Sequence, residues 1–582
     1  MDMIKSIDAC RAEIAEIEQA MWAGEPSELL LESYQAAFRQ LEQLVALQGE
    51  DRRHKFVIVI PVADRPQHLQ SCLDSLLQLC KLFGYGGMAD GRYRKLAVII
   101  ADDTRDADNI ARNREIARHC DEQGIETHYL GLSEQLELVD RLDEAERSAL
   151  SGILGSYPAS ADDRAAFSHK GPSLMRNIAY LKLKEMSKSE EKLLFYFIDS
   201  DQEFRVKVST PAGDRNLYAS NYLYYLDRIF AETDATILTG KVVGDPPVSP
   251  AVMAGNFLED VIGFVHRIAA ADPAQPCQFH VAPEQVADDA AYHDMAGLFG
   301  FQPTQAPYQY RCTLHGAHDN ARCFGHFASK LKRFFYGEHP TRKTYYHHED
   351  LIAGIRPART IYTGNYIFKP EGLKYFIPFA TLKLRMAGPV LGRILKSELG
   401  ARFVSANLPM LHKRTVGTTG QSEFRPGIAA DIAKIDLSGE FERQFYGDVM
   451  LFTMEKLTAM GYPQVGLTRE SVAQEVEATH ASLQQQYREK RQAILEKLHL
   501  LQALVRQPEN WWNRSADYAE ARAGFDAFMD NIAHNFGESV FDALNSPANK
   551  ARRHAAIIAA IAGYAQDARA WAAALDRLGQ RA

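Results

Sequence analysis

Between residues 56 and 238, short apolar runs rich in β-branched residues alternate with longer amphipathic stretches, and this alternation constrains the fold more than any other feature of the chain. The runs at 56–61, 96–101 and 193–198 have the length and continuous apolarity of buried strands, and shorter strands are expected at 127–130 and 235–238. The stretches at about 66–83, 107–121, 172–187 and 219–231 carry apolar positions at helical spacing. Strands joined through helices of that length build βαβ units, so the predicted class is α/β with a Rossmann-like, mainly parallel sheet. Open sheets of this kind bind ligands beyond the carboxyl ends of their strands.

The flanks are helical. Residues 1–52 place Ile7, Ile14 and Ile17, then Leu30, Tyr34, Phe38 and Leu41, at helical spacing on either side of Gly24-Glu25-Pro26, which predicts a helical pair. The α/β domain is expected over 53–430. Within it, about 265–355 loses the alternation, becomes rich in Pro, His, Tyr and Gly, and reads as an irregular insertion near the site. Order returns at Thr360-Ile361-Tyr362. Residues 431–582 are largely helical, with packing or homo-oligomer assembly as the expected role.

Composition excludes several classes. With 46% hydrophobic and 24% charged residues in 582, the chain can bury more than one core. A formal charge of -9 supplies no broad basic field, so no nucleic-acid partner is expected. The start, Met1-Asp2-Met3-Ile4-Lys5, lacks the basic region and apolar core expected of a secretory signal, and no eighteen-residue apolar run predicts a transmembrane segment, so a cytoplasmic location is expected. Seven cysteines without C-x-x-C spacing fit reduced thiols. Cys312 and Cys323 stand near His315, His318 and His326, donor types that also suit a structural zinc.

The chemistry starts at Phe195-Tyr196-Phe197-Ile198-Asp199-Ser200-Asp201, an apolar run that ends in two carboxylates. Hard oxygen ligands at a strand's carboxyl end suit Mn2+ or Mg2+, and such an ion can clamp a diphosphate. The bland alternative is a turn, since Asp and Ser cap helices and open loops.

Other segments place this motif in a recognisable order. Val57-Ile58-Val59-Ile60-Pro61-Val62-Ala63-Asp64-Arg65-Pro66 resembles the opening strand and loop of family 2-like glycosyltransferases with the GT-A fold, and Leu96-Ala97-Val98-Ile99-Ile100-Ala101-Asp102-Asp103 resembles their second, Asp-ending strand. Gly171-Pro172-Ser173-Leu174-Met175-Arg176-Asn177 looks like their Gly-x-x-x-x-Arg-Asn helix start. Thr363-Gly364-Asn365-Tyr366-Ile367-Phe368 resembles their acceptor-side Gly-Asn loop, and Leu408-Pro409-Met410-Leu411-His412 their late metal-binding histidine. The resemblance covers roughly 56–414. It implies metal-dependent transfer of a sugar from a UDP- or GDP-sugar to a hydroxyl acceptor. Pro61, Asp64, Arg65, Asp102, Asp103, Lys170, Gly171 and Arg176 would then face the donor, and Asp199, Asp201 and His412 would hold Mn2+ or Mg2+.

The chain departs from the family where inverting members carry a catalytic base, for no Asp or Glu falls between Glu371 and Glu398. Either His347-His348-Glu349-Asp350 supplies the base out of order, through Glu349 or Asp350, or the enzyme retains configuration and needs none. Retaining enzymes resembling mannosylglycerate or glucosyl-phosphoglycerate synthases carry a Lys-Gly, a D-x-D and a late histidine, which Lys170-Gly171, Asp199-Ser200-Asp201 and His412 match. Gly364 and Asn365 would then lie on the acceptor side, with Arg385 and Arg393 anchoring a small anionic acceptor or a glycan. A sugar-phosphate nucleotidyltransferase is disfavoured because 62–66 holds no glycine. A non-catalytic nucleotide-binding scaffold is the remaining alternative.

Overall fold

The strand Lys55–Val62 is the spine of the molecule, because its continuous apolar run lets both faces be covered and both edges paired. Leu96–Asp102 lies parallel on one side and Leu193–Ile198 parallel on the other. The computed structural model describes residues 6–158, 160–165, 167–187, 192–211, 213–280, 310–430 and 434–580. Its eight-stranded sheet runs Arg356–Pro357, Phe403–Ser405, Ile237–Thr239, Asn365–Phe368, Leu193–Ile198, Lys55–Val62, Leu96–Asp102, Glu126–Leu130. All strands run in one direction except Asn365–Phe368 and Arg356–Pro357. The predicted mainly parallel α/β sheet is therefore present.

Local chemistry sets the helices between the strands. Pro66 opens Pro66–Phe83 with its φ already helical, and Gly84, at φ 71, ends it in the left-handed region. Asp106 caps Ala107–Glu122 by accepting from the Asn109 N–H, and Gly171, at φ 103, turns the chain into Pro172–Met186. The strand expected at 235–238 forms as Ile237–Thr239. Next to it in the sheet stands Asn365–Phe368, slightly beyond the expected return of order at 360–362.

Alternate residues of each strand feed opposite layers. Val57, Val59, Phe195 and Phe197 face a core completed by Pro172–Met186 and by the C-terminal helices, including Trp571. Phe56, Ile58 and Ile60 face a core closed by Pro66–Phe83 and by the N-terminal pair Ile7–Trp22 and Glu28–Leu47. A third core joins Pro250–Ala269, Asn320–Lys330 and Ala519–Asn535. These elements bring order to the described parts of the 265–355 insertion; residues 281–309 lie outside the described residues. No described helix is long and apolar enough to cross a membrane.

Candidate active site

The carboxyl ends of Lys55–Val62, Leu96–Asp102 and Leu193–Ile198 stand side by side because the strands are adjacent and parallel. From Lys55–Val62 the chain first builds outward through Leu96–Asp102 and Glu126–Leu130, then returns to the opposite side as Leu193–Ile198. That reversal is a topological switch point, where loops diverge and leave a crevice. A cavity of about 330 Å³ opens there, lined by Pro61, Arg65, Asp103, Gly171, Asp199 and Asp201 among others.

A small second sheet delivers His412. Met410–His412 pairs in parallel with Val242–Gly244 and antiparallel with Gln202–Glu203, so His412 is in register with Gln202, next to Asp201. The Lys413 N–H donates to the Asp201 carbonyl at 2.9 Å and locks the two segments together. His412 Nδ1 lies 2.6 Å from the Asp245 carbonyl, and a carbonyl only accepts, so Nδ1 carries the proton and Nε2 offers its lone pair. That lone pair faces Asp201 Oδ1 at 3.6 Å. Asp201 Oδ1 is buried and has no hydrogen-bond partner, while Oδ2 accepts from Arg65 Nη1 at 3.0 Å. Burial alone would raise the Asp201 pKa, but His412, Arg65 and Arg414 hold it well below the usual carboxylate range. When the proton on Nε2 is absent, two electron-pair donors face each other in this site. A divalent cation fits that donor set, since imidazole nitrogen and carboxylate oxygen are both ligands for Mn2+.

Asp199 is set apart. Among the described residues it does not join Asp201 and His412 as one compact set of ligand atoms. One oxygen pairs with Arg176, whose guanidinium is buried and also donates to the Pro172 carbonyl at 3.1 Å. The other faces Gly364, where a Cβ would lie 2.6 Å from Asp199 Oδ2 and 2.8 Å from Gln202 Nε2. Gly364 therefore supports the carboxylate from behind and does not line the cavity.

The remaining predicted donor residues divide into those that face the cavity and those that build it. Asp103 lines the cavity and is held by Lys170 Nζ at 2.6 Å and the Gly171 N–H at 3.0 Å. Burial lowers the Lys170 pKa, opposed by Asp103. Asp102 points away, accepting from Asn113 at 3.0 Å, from Tyr129 at 2.5 Å and from the Thr104 N–H at 2.9 Å. Asp64 ties the first loop to the second through the N–H groups of Arg105 and Asp106 and through His169. Among the described residues, the non-glycine positions with positive φ are Asp64, Asp90, His169, Phe379, Lys383 and Met386; His169 and Lys383 line this cavity and Asp64 and Phe379 adjoin lining residues, while Met386 lines the separate cavity. Strained backbone of this kind collects where function needs a fixed geometry.

The far wall holds Arg385, expected on the acceptor side, together with residues that sequence reasoning did not single out. Lys383, Arg385, Arg414, Arg425 and Arg443 all line the cavity. Arg385, Arg425 and Arg443 surround one buried acid, Glu440, which burial would make less acidic and their charges hold ionised. Glu440 and Arg443 belong to the helix Ser438–Ala459, beyond the expected domain boundary. Arg385, named from the sequence as an anchor for an anionic acceptor, was the legible hint of this wall.

Other predicted residues lie elsewhere. Arg393 donates to the Arg359 carbonyl at 2.5 Å and lines a separate cavity of about 420 Å³, so it does not share a site with Arg385. Asn365 is fully buried and spends its amide on the carbonyls of Lys241 and Leu408 at 2.9 and 2.8 Å. Glu349 pairs with Lys241 at 3.5 Å, and Asp350 caps the turn at Ile352 and Ala353 with bonds of 3.0 and 2.7 Å. Neither lines the cavity.

No family model matches the chain, and neither does any curated protein. Among solved structures it is similar to S. aureus TarS 1–349, with 11% identity, 82% of this chain and 91% of that chain covered, and a TM-score of 0.27. At that score the likeness decides neither fold nor activity.

Proposed function

We propose that this chain is a GT-A-type glycosyltransferase that moves a sugar from a nucleoside-diphosphate sugar to a hydroxyl acceptor with retention of configuration. The observation that carries the reading is the orphaned Asp201 Oδ1 opposite His412 Nε2 at a strand switch point. Asp201 and His412 would hold Mn2+ or Mg2+, and an ion bound there supplies charge neutralisation for the departing diphosphate. Asp199, outside that pair, would serve the ribose or a water of the ion. Asp103 and the Pro61–Arg65 loop supply a wall for the nucleoside. Arg65 and Arg414, both beside Asp201, face negative charge as it develops on the leaving group.

The cavity's carboxylates support retention. Among the described lining residues they are Asp103, Asp199, Asp201 and Glu440. Asp103 is committed to Lys170, Asp199 to Arg176, Asp201 to Arg65, and Glu440 to its arginines. None is a free base. In the retaining reading the anomeric C–O bond to diphosphate breaks, the acceptor oxygen bonds to the same face, and the acceptor proton leaves on a diphosphate oxygen. Lys383, Arg385 and Arg443 would orient an anionic acceptor.

The test is incubation with Mn2+ and a panel of UDP- and GDP-sugars, following released nucleotide with and without D201N. Metal-dependent release that D201N abolishes supports the proposal, and proton NMR of the product anomeric centre assigns stereochemistry. Absence of release with every donor, or equal release by D201N, overturns it in favour of a nucleotide-binding scaffold or a different metal site.

A further inference from the structure

The cysteines and histidines around the 281–309 segment are not used by the cavity, and the fold gathers them in a way their spacing does not suggest. We propose that Cys277, His280, Cys312 and His318 bind one structural zinc ion, stapling the two chain arms that flank 281–309. One ligand atom from each of the four lies within 4.8 Å of every other. Cys312 Sγ and His318 Nε2 are 3.3 Å apart, and the His280 and His318 rings meet edge to face at 4.7 Å between centroids. Zn–S bonds of about 2.3 Å and Zn–N bonds of about 2.0–2.1 Å place tetrahedral ligand atoms roughly 3.3–3.8 Å apart, so little movement is needed to close the shell.

Backbone hydrogen bonds align the two arms. The Cys277 N–H donates to the His318 carbonyl at 2.9 Å, and the Cys312 N–H donates to the Phe279 carbonyl at 2.7 Å. His318 Nδ1 lies 2.9 Å from the Gly316 carbonyl, which fixes the proton on Nδ1 and leaves the Nε2 lone pair facing Cys312. Two thiols and two imidazoles form a borderline-soft set that prefers zinc to magnesium or calcium, and four protein ligands leave no open position for catalysis. Of the grouping expected from spacing, Cys312 and His318 belong to the compact set, while Cys323 and His326 lie beside Cys312 outside it. Cys277 and His280 come from the other arm, which is far in sequence and adjacent only in the fold.

A staple here has a consequence for the cavity. His318 leads directly into Asn320–Lys330 and then Leu331–Tyr336, and the Tyr336 carbonyl accepts from Arg425 of the cationic wall. The ion would thus fix the foundation of one cavity wall from a distance, without touching substrate. This inference stands on residues separate from Asp201 and His412 and does not depend on the glycosyltransferase reading.

The experiment is elemental analysis of the full chain, purified without a chelating tag and dialysed after exposure to zinc. About one zinc per chain is expected in wild type and in D201N, falling to background in C312S and C277S. Cobalt substitution should give the visible bands of tetrahedral cobalt with a thiolate charge-transfer band. His280 is exposed, so H280A tests the site with the fold intact by circular dichroism, and should weaken zinc retention and alter the cobalt spectrum. Zinc-free wild type, zinc retained in C312S, or an unchanged cobalt spectrum in H280A would overturn the proposal. So would a disulfide among Cys277, Cys312 and Cys323 in an unreduced digest.

Discussion

At the scale of single residues, opposing electrostatic effects meet at Asp201. Burial opposes its charge, yet His412, Arg65 and Arg414 keep it ionised, and one of its oxygens is left without a partner. D201N keeps the shape and removes the charge. Nucleotide release should fall by about 10²–10³-fold, the loss typical of one preorganised electrostatic group, with an unchanged far-ultraviolet spectrum. Gly364 offers a subtler test. Its missing Cβ leaves room for Asp199 Oδ2 and Gln202 Nε2, both ends of side chains that can move. G364A should therefore fold with a stability change within about 1 kcal/mol, yet displace the carboxylate and cut turnover by at least about 10-fold. Steady-state kinetics alongside urea denaturation would separate the two effects, and unchanged turnover would remove Asp199 from the site. Asp201 was legible because it follows the abrupt end of an apolar strand, and His412 only through its resemblance to a late metal-binding histidine. Glu440 and Arg443 were not, because their meaning comes from which wall their helix faces, and helical spacing carries no such information.

At the scale of elements, periodicity revealed what is locally determined. The βαβ alternation predicted the parallel strands and their helices because strand and helix spacing are written in contiguous residues. Asn365–Phe368 was seen as a loop because a four-residue strand is too short to show a period, and its place depends on antiparallel pairing with Leu193–Ile198 and Ile237–Thr239. The small sheet that carries His412 to Asp201 was invisible for the same reason. The helix Ser438–Ala459 also holds Asp448, buried against Arg469–Val505, with oxygens accepting from Gln444 Nε2 at 2.8 Å and Tyr487 Oη at 2.5 Å. Burial pushes its pKa up to about 6, with those bonds pulling the other way. In the unfolded chain an aspartate releases its proton near pH 3.9. Between these values the folded state binds more protons, so the stability contributed by the neutral acid is present at low pH and lost as pH rises through about 6. D448N should remove that slope and stabilise the protein by roughly 1–3 kcal/mol at pH 8, with little effect near pH 4. The Asn amide could donate to Gln444 Oε1, which now has no partner, while its carbonyl accepts from Tyr487. Urea denaturation at both pH values would check it, and an equal effect at each would contradict the titration.

At the scale of the whole molecule, the terminal helices are continuous with the sheet and not appended to it. Tyr34 of the N-terminal pair accepts or donates to Tyr225 at 3.3 Å and bonds Glu18 at 2.8 Å, inside the core beneath Phe56 and Ile58. On the opposite face, Trp571 of Pro547–Gln580 is fully buried, donates from Nε1 to the Leu373 carbonyl at 2.8 Å, and packs against Tyr180 and Phe376. Tyr180 in turn lies against Phe197, four residues before Asp201 on the strand that ends in the site. Composition suggested several domains, but a shared core couples them, and coupled cores unfold together. Calorimetry should show the sheet and the C-terminal helices melting in one transition. W571A should cost about 3–5 kcal/mol, the usual penalty for emptying a buried aromatic site, and shift that entire transition to lower temperature. If the helices were an independent unit, W571A would move one of two transitions and leave the other in place. That outcome would also predict that the cavity, deprived of Glu440 and Arg443, survives without its cationic wall, whereas a shared core requires nucleotide release and the main transition to be lost at the same temperature.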